Sequence, residues 1–350
     1  MITALIVDDT VLFRSLVGAA LQKVPGLSVV GTAPNGRIAL AKIMALVPDI
    51  VTLDIEMPEM NGLEVLKALA EKNLDTAVIV VSSLTTRGGE LTMRALELGA
   101  FDYVIKPQGP DGMADFERSL TTIIGSLAKR REIAKILKGV ARGPRVERSI
   151  PQRGPLRVGS SEIVAIGVST GGPQALLFLL PSIAADFPVP ILIVQHMPAL
   201  FTANLARSLA AKCLVKVKEA ENGEVLRKGT VYIAPGGYQM KVALGADAVT
   251  KIVRVTEDPP ENNCRPSADY LFRSVAHLYF GRATGVVLTG MGSDGKAGIE
   301  GMKRAGALVI AQDEATCVVY GMPKAVVDAG MADLVLPLGG IAAAIVESVN

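Results

Sequence analysis

The sequence has no tryptophan, and aromatic residues make up only 4% of its 350 positions. Proteins that bind single-stranded nucleic acid stack the bases on aromatic side chains, so this composition argues against such a surface. The net charge of +2 likewise gives no reason to expect an acidic polymer as partner. No apolar run reaches the ~18 residues of a membrane helix, and no basic segment precedes Asp8 as in a signal peptide. We expect a cytoplasmic monomer without direct membrane insertion.

Cysteine and histidine are also scarce. The three cysteines, Cys213, Cys264 and Cys317, are odd in number and widely spaced. This spacing argues against a disulfide framework or a zinc site and fits a reducing compartment. Of the two histidines, His277 lies in a stretch with helical spacing and has no catalytic residue beside it, so we interpret it as structural. His196 remains as a candidate for chemistry.

Glycine and aliphatic residues are abundant, which suits an α/β protein with buried parallel strands. The length favours two domains. Between residues 125 and 160 the chain carries ten Lys or Arg and only two acids, with Gly143-Pro144 to Pro155 unsuited to regular structure. We therefore predict a domain over 1–122, a basic flexible linker over 123–159 and a second domain over 160–350, with the linker acting as a solvated tether.

Strands and helices alternate five times in the first domain. The predicted strands cover 3–7, 28–31, 49–53, 77–81 and 101–105, with a helical stretch after each. Such alternation predicts a doubly wound parallel sheet with helices on both faces.

Polar residues follow the predicted strands at Asp8, Asp9, Asp54, Ser82 and Lys106. Sites in open parallel sheets form at the carboxyl ends of the strands. Three carboxylates there would hold a hard cation, most plausibly Mg²⁺, and Asp54 would attack a phosphoryl donor to give an aspartyl phosphate. Lys106 and Ser82 would contact the new phosphoryl oxygens. Taken singly, each residue can also be explained as a helix cap, a turn former or a solvated lysine.

The first 122 residues resemble a response-regulator receiver domain. The residues that carry the resemblance are Val7-Asp8-Asp9, the segment 53–62, Ser82, Tyr103 and Lys106-Pro107. The resemblance implies a flavodoxin-like fold, phosphorylation at Asp54 and a switch through Ser82, Tyr103 and Lys106. It further implies Mg²⁺ held by Asp8, Asp9, Asp54 and the carbonyl of Glu56.

The second domain opens with Gly167–Gly172 between an apolar strand and an apolar helix. Ser169 would lie on a sharp turn, where N–H groups of the starting helix can stabilise an oxyanion. The segment matches the nucleophile-elbow pattern G-x-S-x-G. The alternative is that Ser169 only caps the helix and the glycines only permit the turn.

Two further residues follow strand ends in the same predicted sheet. His196 follows the strand 189–194, and Asp294 follows the strand 283–288. A histidine can take the serine proton near neutral pH, and an aspartate can orient the imidazole. The chain order Ser, His, Asp differs from that of the α/β-hydrolases, so the elbow pattern does not assign that fold.

The second domain resembles the catalytic domain of the chemotaxis protein-glutamate methylesterase family. The matching segments are Gly167–Gly172, Gln195–Pro198, Tyr232–Gly236, Cys264–Asp269, Leu288–Gly295 and Tyr320–Pro323. The resemblance implies a Rossmann-like domain with Ser169, His196 and Asp294 as triad, and no cofactor. The backbone N–H groups of Thr170 and Met291 would form the oxyanion hole.

The family resemblance also implies substrates and partners. Glutamyl methyl esters, and glutamines, on chemoreceptor cytoplasmic domains would be hydrolysed, and a chemotaxis histidine kinase would activate the enzyme by phosphorylating the receiver. A non-catalytic adaptor that binds receptor or kinase is the alternative. A DNA-binding regulator is disfavoured because no recognition helix follows the receiver.

Overall fold

The computed structural model describes residues 1–109, 112–139 and 161–349, with the side chains of 132–139 left aside. The chain divides into two compact units, Met1–Arg148 and Ser149–Asn350. Most of the predicted linker, residues 140–160, lies outside the described residues.

The first unit is a five-stranded parallel sheet with the strand order β2-β1-β3-β4-β5. Its strands are β1 (Ile2–Val7), β2 (Leu27–Ala33), β3 (Ile50–Asp54), β4 (Ala77–Ser82) and β5 (Asp102–Ile105). Its helices are α1 (Val11–Leu21), α2 (Gly36–Leu46), α3 (Gly62–Glu71), α4 (Thr86–Glu97) and α5 (Met113–Gly139). The predicted doubly wound sheet is confirmed, with strand ends within two residues of the predicted ones.

The helices of this unit begin where short polar residues cap them. Asn35 accepts from the N–H of Ile38 at the start of α2, and Asn61 forms a reciprocal capping box with Glu64 at the start of α3. Such caps satisfy N–H groups that have no partner inside the helix. They fix where each helix leaves the sheet edge, which is also the edge that carries the predicted polar residues.

Helix α5 continues well past the predicted domain end at residue 122. Ile123, Ile124, Leu127 and Ala128 are buried in the same core as Ile2 and Val17. The first part of the predicted linker is therefore helix packed on the sheet, because apolar residues at helical spacing continue beyond 122. Neither α5 nor any other helix within the described ranges is long and apolar enough to cross a membrane.

The second unit is built on a seven-stranded parallel sheet of order β14-β13-β12-β6-β7-β9-β8. The strands are β6 (Val164–Val168), β7 (Ile191–Gln195), β8 (Lys216–Glu219), β9 (Thr230–Ile233), β12 (Thr284–Val287), β13 (Leu308–Gln312) and β14 (Leu334–Leu336). The helices are α6 (Gly172–Leu179), α7 (Ala199–Ala210), α8 (Ala268–Tyr279), α9 (Lys296–Arg304), α10 (Met322–Asp328) and α11 (Leu338–Val349). The predicted parallel α/β fold is confirmed here as well.

An antiparallel hairpin interrupts the alternation in this unit. It consists of β10 (Gln239–Leu244) and β11 (Lys251–Thr256). Its apolar side joins the core that contains α8, and the N–H of Val242 donates to Ser274 Oγ at 3.0 Å. The hairpin was not predicted. It packs against α8, the helix whose first turn carries part of the site described below.

We expect Ile124→Ala to lower the stability of the first unit by about 2–5 kcal/mol, because it leaves a cavity under α5. The side chain is fully buried. Differential scanning calorimetry of the full chain should show one transition moved to lower temperature and the other unchanged. Lys129→Ala, which alters an exposed position on the same helix, is the matched control. Equal behaviour of the two variants would show that α5 beyond residue 122 does not pack on this unit.

Candidate functional sites

The first candidate site lies at the carboxyl ends of β1, β3 and β5. The ammonium of Lys106 lies 2.8 Å from Asp8 Oδ2 and 2.8 Å from Asp54 Oδ2. Both carboxylates are buried, and Thr10 donates to Asp8 Oδ1 from its N–H at 2.9 Å and its hydroxyl at 2.7 Å. The fold thus brings together three residues that are far apart in sequence, with one positive charge shared by two negative ones.

The electrostatics of this site suit a cation. Burial raises the pKa of Asp54 to about 6; Lys106 opposes the shift, and the charges of Asp8 and Asp9 add to it. Asp9 is exposed, and one oxygen from each of the three carboxylates lies within 4.8 Å of the others. An all-oxygen donor set with one open side is what Mg²⁺ prefers. The residues present therefore fit the magnesium ion that the receiver resemblance implies.

The predicted switch hydroxyl of Ser82 faces helix α4. Its Oγ donates to the carbonyl of Gly88 at 3.2 Å and accepts from Thr92 Oγ1 at 2.7 Å. Thr92 was not predicted, since nothing local in the sequence shows that it meets Ser82. Tyr103 follows Asp102 on β5, and burial together with the Asp102 charge raises the pKa of its phenol.

Glu56 belongs to a cleft beside the three carboxylates. Its Oε2 accepts from Ser83 Oγ at 3.2 Å, and its Oε1 lies 3.4 Å from Arg87 Nε. The cleft has a volume of about 420 Å³ and is also lined by Asp9 and Asn61. This is enough room for a small phosphorylated donor next to Asp54.

The second candidate site lies at the carboxyl ends of β6, β7 and β12 in the other unit. Val168 is paired with Gln195 in the sheet, so the residues that follow them, Ser169 and His196, are neighbours. The N–H of His196 donates to the carbonyl of Val168 at 3.1 Å. The N–H of Ser169 donates to Thr289 O at 2.9 Å, which ties the serine to the end of β12.

Glycines are required around Ser169 because the backbone is crowded there. Gly171 has φ of +76°, a conformation that other residues rarely adopt. A Cβ on Gly172 would lie 2.0 Å from Gln195 Oε1, and one on Gly290 would lie 2.7 Å from the Cβ of Ser169. The glycines thus do more than allow a turn. Their lack of side chains lets the residues that follow three strands pack closely together.

His196 and Asp294 form a direct pair. His196 Nε2 lies 2.7 Å from Asp294 Oδ2, and both side chains are largely shielded from solvent. With Nε2 bound to the carboxylate, Nδ1 is the ring nitrogen left for another group. Within the described residues, Ser169 forms hydrogen bonds through its backbone N–H and carbonyl, and its hydroxyl forms none.

The Asp294 carboxylate is held by the first turn of α8. Ser267, the residue before this helix, donates its hydroxyl to Oδ1 at 2.7 Å, and the N–H of Asp269 donates to the same oxygen at 3.2 Å. The N–H of Ala268 donates to Oδ2 at 2.6 Å. Asn262 Nδ2 adds a bond of 3.0 Å to Oδ1. Free N–H groups at a helix start favour a negative charge. Ser267 belongs to the turn 265–267, whose Arg265 donates instead to the carbonyl of Glu257.

The surroundings of the His196–Asp294 pair favour the ionised carboxylate and the protonated imidazole. Burial would raise the pKa of Asp294, but His196, the Ser267 hydroxyl and the Ala268 N–H hold it well below its usual range. Burial likewise opposes a charge on His196, but Asp294 and then Cys264 outweigh it and raise the histidine pKa to about 9. The imidazole in the resting site is therefore mostly protonated at neutral pH.

Backbone donors are available beside the serine. In the described part of the chain, the N–H groups of Thr170 and Met291 have no acceptor. The Thr170 N–H shares its peptide with Ser169 O, which accepts from Gln195 Nε2 at 3.0 Å, and this bond holds that peptide in place. Unpaired N–H groups near a nucleophile are the feature that an oxyanion hole needs.

Several residues of this site were missed in the sequence analysis. Gln195 Nε2 donates to Ser169 O at 3.0 Å, and Cys264 Sγ lies 3.7 Å from His196 Nδ1. Asn262 and Thr289 hold the acid and the serine turn, as described above. Gln195 and Thr289 directly follow or end apolar strands, which is a usable signal, whereas Cys264 and Asn262 lie in a loop. His277 is exposed on α8.

The raised pKa of His196 gives a pH dependence. A general base must be neutral, so hydrolysis at this site should increase with pH through a midpoint near 9. We expect an NMR titration of the His196 imidazole to show the same midpoint. In Asp294→Asn, this midpoint should fall toward the ordinary histidine value, because the charge that favours the imidazolium is removed.

An unchanged His196 midpoint in Asp294→Asn would mean that the pair is not formed in solution.

Both units are similar to known proteins. Residues 164–345 match the family model "CheB methylesterase", and residues 4–116 match "Response regulator receiver domain". A protein-glutamate methylesterase/protein-glutamine glutaminase of Desulfotalea psychrophila is 48% identical, with 99% of this chain and 98% of that protein covered. One with the same name from Geobacillus kaustophilus is 43% identical, with 100% and 99% covered.

A solved structure is also similar to the second unit. The Thermotoga maritima CheB methylesterase catalytic domain is 42% identical with a TM-score of 0.52, covering 54% of this chain and 98% of that one. The resemblance drawn from the sequence is confirmed: this chain belongs to the CheB methylesterase family, with a response-regulator receiver domain at its N-terminal end.

Proposed function

We propose that this chain is a phosphorylation-activated protein-glutamate methylesterase that acts on chemoreceptors, with glutaminase activity at the same site. The observation that carries the proposal is the His196–Asp294 pair, bonded at 2.7 Å next to Ser169 at three adjoining strand ends. The names of the relatives, which share the full length of the chain, support the substrate class. A non-catalytic adaptor would not need a buried carboxylate held by this many donors.

Acylation begins with the Ser169 hydroxyl. Its Oγ attacks the carbonyl carbon of a glutamyl methyl ester while the imidazole of His196 takes its proton. Asp294 holds the ring and stabilises the imidazolium that forms. The tetrahedral intermediate then collapses, His196 returns the proton to the methoxy oxygen, and methanol leaves.

The negative charge of the intermediate needs donors on the other side of the carbonyl. The N–H groups of Thr170 and Met291 supply them. Water then attacks the acyl-serine with His196 again as base, which releases a glutamate side chain and restores Ser169. A glutamine substrate would follow the same steps with ammonia as leaving group.

Asp54 is the proposed phosphoryl acceptor of the receiver. Its pKa of about 6 leaves it mainly ionised at neutral pH, so it can act as a nucleophile. Lys106 would pair with the new phosphoryl oxygens. Ser82 and Tyr103 would transmit the change, Ser82 by giving up its bonds to α4.

The carboxylates of Asp8, Asp9 and Asp54, together with the Glu56 carbonyl, would hold Mg²⁺. When bound, this ion offsets the negative charge that gathers around the transferring phosphoryl group. The catalytic unit is proposed to need no cofactor.

The proposed partners follow from the substrate and the receiver. The ester-bearing substrates are chemoreceptor cytoplasmic domains, and the phosphodonor is a chemotaxis histidine kinase, so we place the chain in the cytoplasm as a monomer. We assign the receiver to the N-terminal unit, which extends as far as its packed helix α5. The residues after α5 up to 159 are assigned to the tether, and residues 160–350 to catalysis. Nucleic acid has no place in this scheme.

Ser169→Ala should abolish methanol release from methylated receptor membranes while receptor binding persists, because only the nucleophile is lost. Loss of a catalytic nucleophile lowers turnover by several orders of magnitude, on the order of 10⁶ in a serine hydrolase. Ser293→Ala, at an exposed residue beside Asp294, is the matched control and should keep its activity. Methanol release by the Ser169→Ala protein at the control's rate would remove the serine from its role.

Asp54→Asn should prevent labelling of the chain by a small radioactive phosphodonor, because the carboxylate nucleophile is gone. Asp75→Asn, at an exposed carboxylate paired with Arg131, is the matched control and should label normally. Ester hydrolysis by the Asp54→Asn protein should no longer respond to the phosphodonor. Unchanged labelling would place the phosphorylation site elsewhere.

A further inference from the structure

Cys264 lies against the catalytic histidine, and the proposed reaction gives it no task. Its Sγ is 3.7 Å from His196 Nδ1, on the side of the ring away from the nitrogen bound to Asp294. The thiol is free and partly exposed, so it can be reached from solvent. The thiol also donates a hydrogen bond of 3.4 Å to the carbonyl of Asn262.

The spacing of this sulfur and nitrogen matches a shared metal ion. With a Zn–N bond of about 2.05 Å, a Zn–S bond of about 2.3 Å and a tetrahedral angle, the two ligand atoms are separated by ~3.6 Å. The observed separation is 3.7 Å. The two ligand atoms already lie at about the separation that a shared ion requires.

The other face of the ring supports the same conclusion. Histidine ligands of metals commonly donate their second ring nitrogen to a carboxylate, which orients the ring and makes it a better ligand. Asp294 is in this position, 2.7 Å from His196 Nε2. Ligand atoms of Cys264, His196 and Asp294 all lie within 4.8 Å of one another.

We propose that Cys264 and His196 form an inhibitory binding site for a thiophilic divalent cation such as Zn²⁺. The Cys264 thiol loses its proton to solvent as the metal–sulfur bond forms. The His196 imidazolium likewise releases its Nδ1 proton to solvent, and the neutral Nδ1 then supplies the second ligand. Water fills the remaining tetrahedral positions. The bound imidazole can no longer accept the serine proton, so hydrolysis stops until the metal is removed. This inhibition rests on the proposed function, whereas the binding site does not.

Direct binding is measured with Co²⁺ on the full chain, because cobalt bound to a thiolate gives an intense near-ultraviolet charge-transfer band. The band should appear with the native protein, decrease when Zn²⁺ is added, and be absent from both Cys264→Ser and His196→Ala. Cys213→Ser, which alters another partly exposed free thiol, is the matched control and should keep the band. The same band in Cys264→Ser, or no band in the native protein, would overturn the proposal.

Inhibition is measured as methanol release after chelator treatment, with each variant compared with its own metal-free rate. Because loss of even an outer partner of a metal ligand costs 10–100-fold in affinity, Cys264→Ser should need at least ~10-fold more Zn²⁺ for half inhibition. Reversal of native inhibition by chelator is expected. Equal zinc sensitivity of the two proteins would contradict the site. A native protein that shows the cobalt band but never releases methanol would instead refute the proposed function.

Discussion

The second unit depends on one buried carboxylate placed at the start of a helix. Asp294 is held by N–H groups and a hydroxyl at the first turn of α8, and it in turn holds the His196 ring. A carboxylate that receives several hydrogen bonds in a low-dielectric site stays ionised and cannot turn away. The orientation of the His196 ring, the position of the loop after β12 and the raised histidine pKa all follow from this arrangement. The glycines around Ser169 let the ends of β6, β7 and β12 approach closely enough to bring Ser169 and His196 to the same edge as Asp294.

The first unit also contains a buried aspartate at a strand end, but its pKa is shifted in the opposite direction from that of Asp294. Its buried carboxylate, Asp54, has a raised pKa because burial and two neighbouring acids outweigh the single ammonium of Lys106. A carboxylate whose charge is incompletely compensated in this way favours a cation, whereas Asp294 favours an imidazolium. Both units thus place an aspartate at the carboxyl end of a parallel strand, and the donors around each aspartate decide its chemistry.

Much of this could be predicted because strand ends are visible in the sequence. Buried parallel strands read as short apolar runs, and the polar residue that follows each run marks the functional edge, as with Asp54, His196 and Asp294. The hairpin β10–β11 was missed although its signal was present, since Met240 and Val242 alternate with the polar Lys241. Helical spacing in the sequence continues to residue 137, but the excess of basic residues led us to end the predicted domain at 122 and to count that stretch as linker. The contacts of Cys264 with His196 and of Thr92 with Ser82 are set by tertiary packing, and no local pattern reports them.

The central claim is that one site hydrolyses receptor esters and that the other controls it. The most direct measurement is methanol release from methylated chemoreceptor membranes by the native full chain, with and without a small phosphodonor and Mg²⁺. The account predicts release in both conditions and a faster rate with the phosphodonor. Absence of methanol in both conditions, from a protein that is folded and free of inhibitory metal, would contradict it.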